Sequence, residues 1–241
     1  MERLIDLGKW TLDSLEDMLR KSSSFGSPAE RIYHISKSFL GVDYKESTLI
    51  GDSQTPETFV INLRAVDCFT FIDYVEAMRL SRSLGEFEEN LKLIRYRSGI
   101  VGFSSRNHFF TDWGEFNKAF IEDITRSLGG QKILVESKRL SLPGIELRER
   151  KIAYIPSASL DGRVIGKLET GDYIGVYSTV AGLDVSHVGI FIRTGKQEYL
   201  RHASSNKAQR KVVDHAFKKY FAAKPGIIVL RPVIYPRPDF R

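Results

Sequence analysis

The chain has 241 residues, of which 42% are hydrophobic and 27% charged, with a formal net charge of +6 and one cysteine. These fractions are typical of a globular protein with a full core, and a lone cysteine excludes an internal disulfide and a thiolate-rich metal site. No apolar run approaches the ~18 residues of a membrane helix. No aromatic-basic RNA motif or zinc-finger spacing occurs in the sequence. We therefore predict no membrane insertion and no nucleic-acid partner, although the basic charge would suit an anionic polymer.

The first forty residues predict two helices. Leucines recur at helical spacing among charges between residues 4 and 20, which favours an amphipathic helix. A polar break at residues 22–28 follows, and Pro28 suits the first turn of a second helix that runs to about Leu40. The opening residues, Met1-Glu-Arg-Leu-Ile-Asp, are charged and amphipathic, so we do not predict a signal peptide.

A predicted short strand at residues 59–63 precedes the stretch around the only cysteine. Asp67 is a good helix N-cap, because its carboxylate can accept hydrogen bonds from backbone N–H groups of the first turn. Strong helix formers follow without Gly or Pro as far as Leu80. Cys68 would then lie in the first turn, where the aligned peptide dipoles favour the thiolate, which is the nucleophilic form.

The helix that begins near Cys68 is predicted to be buried. Its polar side chains recur every third residue and form a narrow stripe on a largely apolar cylinder; they are Thr70, Asp73, Glu76 and Arg79. Cys68 shares one helix face with apolar residues, so it could equally be an inert thiol in the core. A partner base elsewhere in the chain must decide between these two interpretations.

The middle of the chain is less regular. Residues 95–117 are rich in Gly, aromatics and Arg, which is typical of a loop that lines a binding site and equally of a loop packed on the core. Arg106 and His108 are its polar candidates for ligand contact. The other elements predicted here are a helix at residues 85–97, a helix at 116–128, a strand at 132–137 and a charged linking region at 138–151.

After Leu168 the pattern changes from helices to strands. Three strands are predicted to form an antiparallel meander with a tight turn at residues 194–196. The predicted strands are residues 173–177, 185–192 and 198–203, followed by a short helix at 217–222 and a last strand at 226–232. Because helices come first and strands second, the order predicts an α+β domain.

Two histidines in the meander are candidates for the partner base. Alternation places His187 on the same strand face as Gly189, whose lack of a side chain leaves room above the imidazole. His202 lies near the end of the next strand, and antiparallel pairing could bring the two histidines close together. We therefore predict Cys68 as nucleophile, His187 as general base and acid, and His202 as the residue that orients the imidazole.

Other roles for these histidines stay open on the sequence. A histidine within a strand is more often structural, and a cysteine with two histidines could instead bind a metal ion. Because the spacing shows no ligand pattern, we predict neither a metal nor another cofactor. His215, near a charged segment, is predicted to be exposed.

These motifs resemble the NlpC-like cysteine peptidases of bacterial cell walls, and the resemblance runs from about Arg31 to Pro232. It rests on Asp67-Cys68-Phe-Thr-Phe, Gly171-Asp172, Ser186-His187-Val-Gly-Ile and His202-Ala-Ser-Ser. The stretch from Arg95 to Trp113 is similar to the branch called N-acetylmuramoyl-L-alanine amidase-like. The chain departs from the family pattern at Phe69, where a small or polar residue usually follows the cysteine.

The resemblance implies a papain-like core with a helical N-terminal half, a buried helix that bears the nucleophile, and an antiparallel β-meander. It implies a helical extension at residues 1–30 and one catalytic domain at 31–241, with an inserted aromatic-basic loop region around 95–150. The implied substrate is peptidoglycan or a muropeptide, cleaved between N-acetylmuramic acid and L-alanine through an acyl-enzyme. The implied substrate contacts are Arg106, His108, Asp67, Tyr96 and Ser186.

The resemblance also implies a periplasmic or secreted protein, whereas the residues alone allow a cytoplasmic one. The residues do not predict an oligomeric state. One alternative function is a γ-D-glutamyl–diamino acid endopeptidase on the same core. Others are a non-catalytic module that binds the cell wall and a papain-like transferase or lipid-acting enzyme, although the sequence lacks the amphipathic membrane helix that would favour a lipid substrate.

Overall fold

The computed structural model describes residues 3–234 of the chain. It divides into two compact units: unit 1 comprises residues 3–107 and His202–Val213, and unit 2 comprises His108–Arg201 and residues 214–234. Helices dominate unit 1 and a large sheet dominates unit 2, which agrees with the predicted α+β class. The predicted domain bounds, 1–30 and 31–241, stay a prediction, and their outer ends lie outside the described residues.

Unit 1 packs helices against two small parallel strand pairs. Its elements in chain order are β1 (Arg3–Asp6), α1 (Leu12–Ser23), α2 (Pro28–Ser38), β2 (Asp43–Tyr44), β3 (Phe59–Asn62), β4 (Ala65–Val66), α3 (Cys68–Arg79) and α4 (Leu84–Arg95). Strand β1 pairs with β3, and β2 pairs with β4. The second helix begins as predicted, with Ser27 as the N-cap and Pro28 in the first turn.

The predicted helix at residues 4–20 is wrong at its beginning. Residues 3–6 form β1, whose backbone pairs with β3 from Arg3 opposite Phe59 onwards. A turn follows at Gly8, where φ is +58° and a Cβ atom would lie 2.5 Å from the Cα of Arg64. Such a left-handed and crowded position favours glycine. The helix starts only after Thr11, whose side chain caps it.

The polar stripe of α3 is buried and paired inside unit 1. Arg79 donates to Glu76 at 2.5 Å, and both side chains are almost fully buried. Arg95 of α4 donates to Asp73 at 3.0 Å and to the carbonyl of Val60 at 2.6 Å. These bonds connect α3 to α4 and β3, so they help fix the helix that begins at Cys68.

Unit 2 is organised around one antiparallel sheet. The elements of the sheet region in chain order are α5 (Phe110–Phe116), β5 (Ile121–Asp123), α6 (Thr125–Gly129), β6 (Leu134–Leu140), β7 (Arg148–Pro156), α7 (Gly162–Gly166), β8 (Tyr173–Tyr177), β9 (Val185–Thr194), β10 (Gln197–Ala203), β11 (Val212–Ala216), α8 (Phe217–Phe221) and β12 (Gly226–Pro232). The end of β10 and the beginning of β11 are counted in unit 1. The strand order is β11-β10-β9-β8-β12-β7-β6, and β5 also pairs with β12. The predicted meander β8-β9-β10 is confirmed, with antiparallel registers throughout.

Three features of this region differ from the sequence prediction. The predicted helix at 116–128 is broken by β5, because Asp123 pairs with Leu230 of the last strand. The predicted linking region at 138–151 belongs mostly to the long β6–β7 hairpin. Strand β11 was not predicted at all. In each case pairing with another strand outweighs the local residue pattern.

The core of unit 2 lies on one face of the sheet. Buried side chains of β8, β9 and β12 pack against apolar residues of the short helices, and the members include Val176, Phe191, Val229, Ile165 and Phe217. This packing fixes β9, the strand that carries His187. Among the described residues, no helix combines the length and the apolar character that crossing a membrane requires.

Candidate active site

The cysteine lies where the sequence predicted it, at the first position of α3. The Oδ1 atom of Asp67 accepts hydrogen bonds from the backbone N–H groups of Phe69 at 2.9 Å and Thr70 at 2.7 Å. The Thr70 hydroxyl accepts in return from the N–H of Asp67 at 3.0 Å, which completes a capping box. Asp67 is therefore the predicted N-cap, while a contact between Asp67 and substrate stays a prediction. Cys68 is half-buried at this helix end.

Tyr44 is a candidate site residue of unit 1 that the sequence analysis missed. It lies in β2 opposite Val66 of β4, two residues before Cys68. Burial, with smaller contributions from Cys68, Glu46 and Asp67 and against that of Arg210, raises the pKa of its phenol to about 12. At neutral pH this phenol is therefore protonated and can donate a hydrogen bond. A two-residue parallel strand has no readable periodicity, so no sequence signal could have found it.

His202 is buried in unit 1, with 2% of its surface exposed. The chain that follows it returns to the segment carrying Tyr44. The N–H of Tyr44 donates to the carbonyl of Arg210 at 2.9 Å, and the N–H of Val212 donates to the carbonyl of Val42 at 2.8 Å. The guanidinium of Arg210 also lies 4.9 Å from the centre of the Tyr44 ring. The loop after His202 thus supports the strand that carries Tyr44.

Two predicted substrate contacts meet at a buried carboxylate of unit 1. Glu57 accepts from the Tyr96 hydroxyl at 2.8 Å and from Nε of Arg106 at 3.0 Å. A second guanidinium nitrogen of Arg106 also bonds Glu57, and Tyr96 is fully buried. These bonds give both residues a structural partner, and their contact with substrate stays a prediction. His108, the first residue of unit 2, is half-buried, and its substrate role likewise stays a prediction.

His187 follows an irregularity at the start of β9 in unit 2. Val176 pairs with His187 whereas Tyr177 pairs with Val185, so Ser186 is an extra residue in this strand. Such a β-bulge turns the side chains on either side of it and is common beside active sites. Ser186 is exposed and His187 is half-buried. A contact between Ser186 and substrate stays a prediction.

The loop between β8 and β9 is held from two sides within unit 2. The Lys138 ammonium donates to the carbonyl of Leu183 at 3.0 Å and that of Val180 at 3.2 Å, and also to the carbonyl of Ser178. At the end of the loop, the buried Asp184 accepts from the N–H of Thr111 at 2.7 Å. Because this loop leads into the bulge, these contacts fix the start of the strand that carries His187.

The surroundings of His187 in unit 2 favour its neutral form. Burial, with smaller contributions from the nearby Lys224 and His215, lowers the pKa of His187 from 6.5 to about 4. The Tyr220 ring contacts both histidines, with its centroid 6.4 Å from that of His187 and 5.8 Å from that of His215. His215, predicted to be exposed, is in fact half-buried against Tyr220.

We expect His187 to stay neutral well below pH 6.5. The unfolded chain takes up a proton near pH 6.5 and the folded chain only near pH 4. His187 therefore lowers the free energy of unfolding as the pH falls from 6.5 to 4 and has no such effect above pH 6.5. NMR titration of the His187 ring, assigned with His187→Gln, measures the midpoint directly. The free energy of unfolding of His187→Gln should depend less on pH between 4 and 6.5 than that of the unsubstituted protein. An NMR titration midpoint at or above pH 6.5 would contradict the expectation.

The predicted triad draws Cys68 and His202 from unit 1 and His187 from unit 2. Within residues 3–234, no three side chains of His, Cys, Asp or Glu cluster in a way that could hold a metal ion.

The sequence profile of the AmiA-like family, described as N-acetylmuramoyl-L-alanine amidase-like, matches residues 34–227. The chain belongs to this family. The matched range includes Tyr44 and all three predicted catalytic residues.

Solved structures agree with the family match. An N-acetylmuramoyl-L-alanine amidase from Bacteroides uniformis ATCC 8492 is 28% identical, with a TM-score of 0.74 over 87% of this chain and 100% of its own. A Bacteroides fragilis protein, provisionally named a xylanase, is 30% identical, with a TM-score of 0.69 over 82% and 99%. A Legionella pneumophila protein, 22% identical, shares the fold with a TM-score of 0.79 over 92% and 94%. No curated protein matches this chain.

Proposed function

We propose that this member of the AmiA-like family is a cysteine-dependent hydrolase that cleaves the amide between N-acetylmuramic acid and L-alanine. The observation that carries the proposal is the only cysteine of the chain, placed at the first position of a capped helix inside the family match. A thiol at this position is favoured as thiolate by the peptide dipoles of α3. We further propose a papain-like core and membership of the NlpC-like superfamily, on the motifs around Cys68, His187 and His202.

In the proposed mechanism, His187 takes the proton of the Cys68 thiol and the sulfur attacks the lactyl carbonyl of the muramic acid. The C–N bond then breaks, a thioester forms, and the amine of L-alanine leaves with the proton from His187. Water, deprotonated by His187, hydrolyses the thioester and releases the lactyl carboxylate. His202 orients the imidazole of His187.

Two donors of unit 1 are proposed to stabilise the oxyanion that forms during attack. One is the backbone N–H of Cys68, which lies at the positive end of the α3 dipole. The other is the Tyr44 hydroxyl, whose raised pKa keeps it protonated over the working range of a thiol enzyme and whose strand pairs with Val66, two residues before Cys68. Arg106, His108, Asp67, Tyr96 and Ser186 remain the proposed substrate contacts. A wall substrate is consistent with a periplasmic or secreted protein.

The test is the mass of the products formed from a soluble muropeptide. The proposal expects a free stem peptide that begins with the L-alanine amine, together with the sugar acid. A cut after γ-D-glutamate would instead indicate the endopeptidase, and binding without cleavage would indicate a wall-binding module. Xylan belongs in the same panel because of the provisional name of the B. fragilis relative. Release of xylose oligomers and no muropeptide product would refute the amidase.

A further inference from the structure

A cationic and aromatic group of side chains lies beside His187 in unit 2, and the proposed chemistry does not use it. Its centre is Tyr220 of α8. The Tyr220 and His215 rings stack with centroids 5.8 Å apart and an interplanar angle of 20°, and Nζ of Lys224 lies 5.3 Å from the Tyr220 ring centroid. We call Tyr220, His215 and Lys224 the Tyr220 cluster. Lys224 is exposed, whereas the two rings are half-buried.

The Tyr220 cluster is positively charged on the side of His187. Lys224 supplies an ammonium group, and the His215 imidazole lies against the same tyrosine ring. Both act on His187 by electrostatic repulsion. The carboxylate next to His215 in the chain, Asp214, is held by Arg201 through two hydrogen bonds of 2.8 Å. That carboxylate is therefore already committed to another cation.

A fixed cation beside a general base has a chemical cost. The base must become positively charged when it accepts the proton of the thiol, and a nearby ammonium opposes that charge. An anion bound to the cation would remove the opposition, because it compensates the charge of Lys224 and attracts the imidazolium. The cluster is thus suited to a ligand that arrives with its own carboxylate.

We propose that the Tyr220 cluster is a subsite for a carboxylate of the substrate. Lys224 and His215 would bind the carboxylate, and both side chains contact the Tyr220 ring. The inference rests on the proposed function, because muropeptide stems carry carboxylates close to the N-acetylmuramoyl–L-alanine bond. Among these carboxylates, the α-carboxylate of the second stem residue, a γ-linked glutamate, is closest to that bond. The subsite makes this protein selective for stems that retain this α-carboxylate.

The test compares two muropeptides that differ only at the second stem residue, which carries either the free α-carboxylate or the corresponding carboxamide. Calorimetry with the full chain carrying Cys68→Ala measures binding without turnover. We expect tighter binding of the carboxylate form. In the same Cys68→Ala protein, the further substitution Lys224→Met should weaken binding of the carboxylate form only. The expected loss of affinity is about fivefold, the effect of a solvent-accessible ion pair. Lys196→Met removes the same charge from an exposed turn of unit 2 and should change neither affinity.

Equal affinity for the two muropeptides, or no measurable affinity for either, overturns the subsite. A loss on Lys224→Met that is the same for both muropeptides overturns it as well, because it would reflect general damage and not carboxylate recognition. Turnover by the protein with Cys68 intact is measured separately. Discrimination without cleavage would retain the subsite and refute the hydrolase, whereas cleavage without discrimination would retain the hydrolase and refute the subsite.

Discussion

Replacing Cys68 by alanine is expected to lower muropeptide cleavage by at least about a thousandfold, because removing a covalent nucleophile leaves only binding and oxyanion stabilisation. The measurement is the initial rate of stem-peptide release, followed by mass spectrometry. The free energy of unfolding should change little, since Cys68 is half-buried and its helix cap is made by Asp67 and Thr70. A large loss of rate with a small loss of stability would separate a nucleophile from a core thiol.

The single cysteine of the chain provides a control for this experiment. Cys68 is the only cysteine, so iodoacetamide labels one position and the labelling rate against pH reports its thiolate directly. A substrate that deacylates slowly should add the mass of its acyl group to the protein with Cys68 and not to Cys68→Ala. Cys68→Ala with nearly full activity would contradict the cysteine mechanism, and cleavage would then need another nucleophile.

Replacing Arg95 by methionine is expected to lower the free energy of unfolding by about 3–5 kcal/mol, because it leaves a buried carboxylate without its cation. Arg95 and Asp73 are 1% and 3% exposed, and the guanidinium also bonds the carbonyl of Val60 at 2.6 Å. Urea unfolding measures the change. Since Asp73 belongs to α3, we also expect looser packing of the helix that begins at Cys68.

The matched control for Arg95→Met is Arg82→Met. Arg82 pairs with Glu86 at 2.9 Å, but its side chain is 75% exposed, so its removal should change the free energy of unfolding far less than Arg95→Met does. Removing both members of the buried pair, with Asp73→Leu and Arg95→Met together, should recover part of the stability because no buried charge is then left unpaired. Equal effects of Arg82→Met and Arg95→Met would contradict this account.

Local signals in the sequence were sufficient for the elements around Cys68 and His187. Asp67 is followed by an uninterrupted run of helix formers, and the cap bonds its own first turn, so nothing distant is needed to place Cys68 at the helix end. The meander from Tyr173 to Ala203 was equally readable, because short connections join its strands. The family match supports the amidase-like branch, whose resemblance rested on the stretch from Arg95 to Trp113.

Pairing between strands explains where the local signals failed. Leu4 continues the helical spacing of the leucines that follow it, yet residues 3–6 form a strand because β3, more than fifty residues later, is their partner. Residues 121–123 likewise join β12 instead of continuing a helix. A charged stretch such as 138–151 can form a hairpin, since strand faces on the surface of a sheet accept charge, and composition alone does not distinguish it from a linker.

By itself, the sequence determined the class of this protein, its likeness to wall amidases, the position of Cys68 and the strands of both proposed histidines. These features depend on residues close together in the chain. Only the tertiary structure brought Tyr44 beside the start of α3, inserted Ser186 as a bulge before His187, and gathered the Tyr220 cluster near that histidine. Each of these depends on which strands pair and which side chains meet in the folded chain, and neither residue type nor periodicity encodes such contacts.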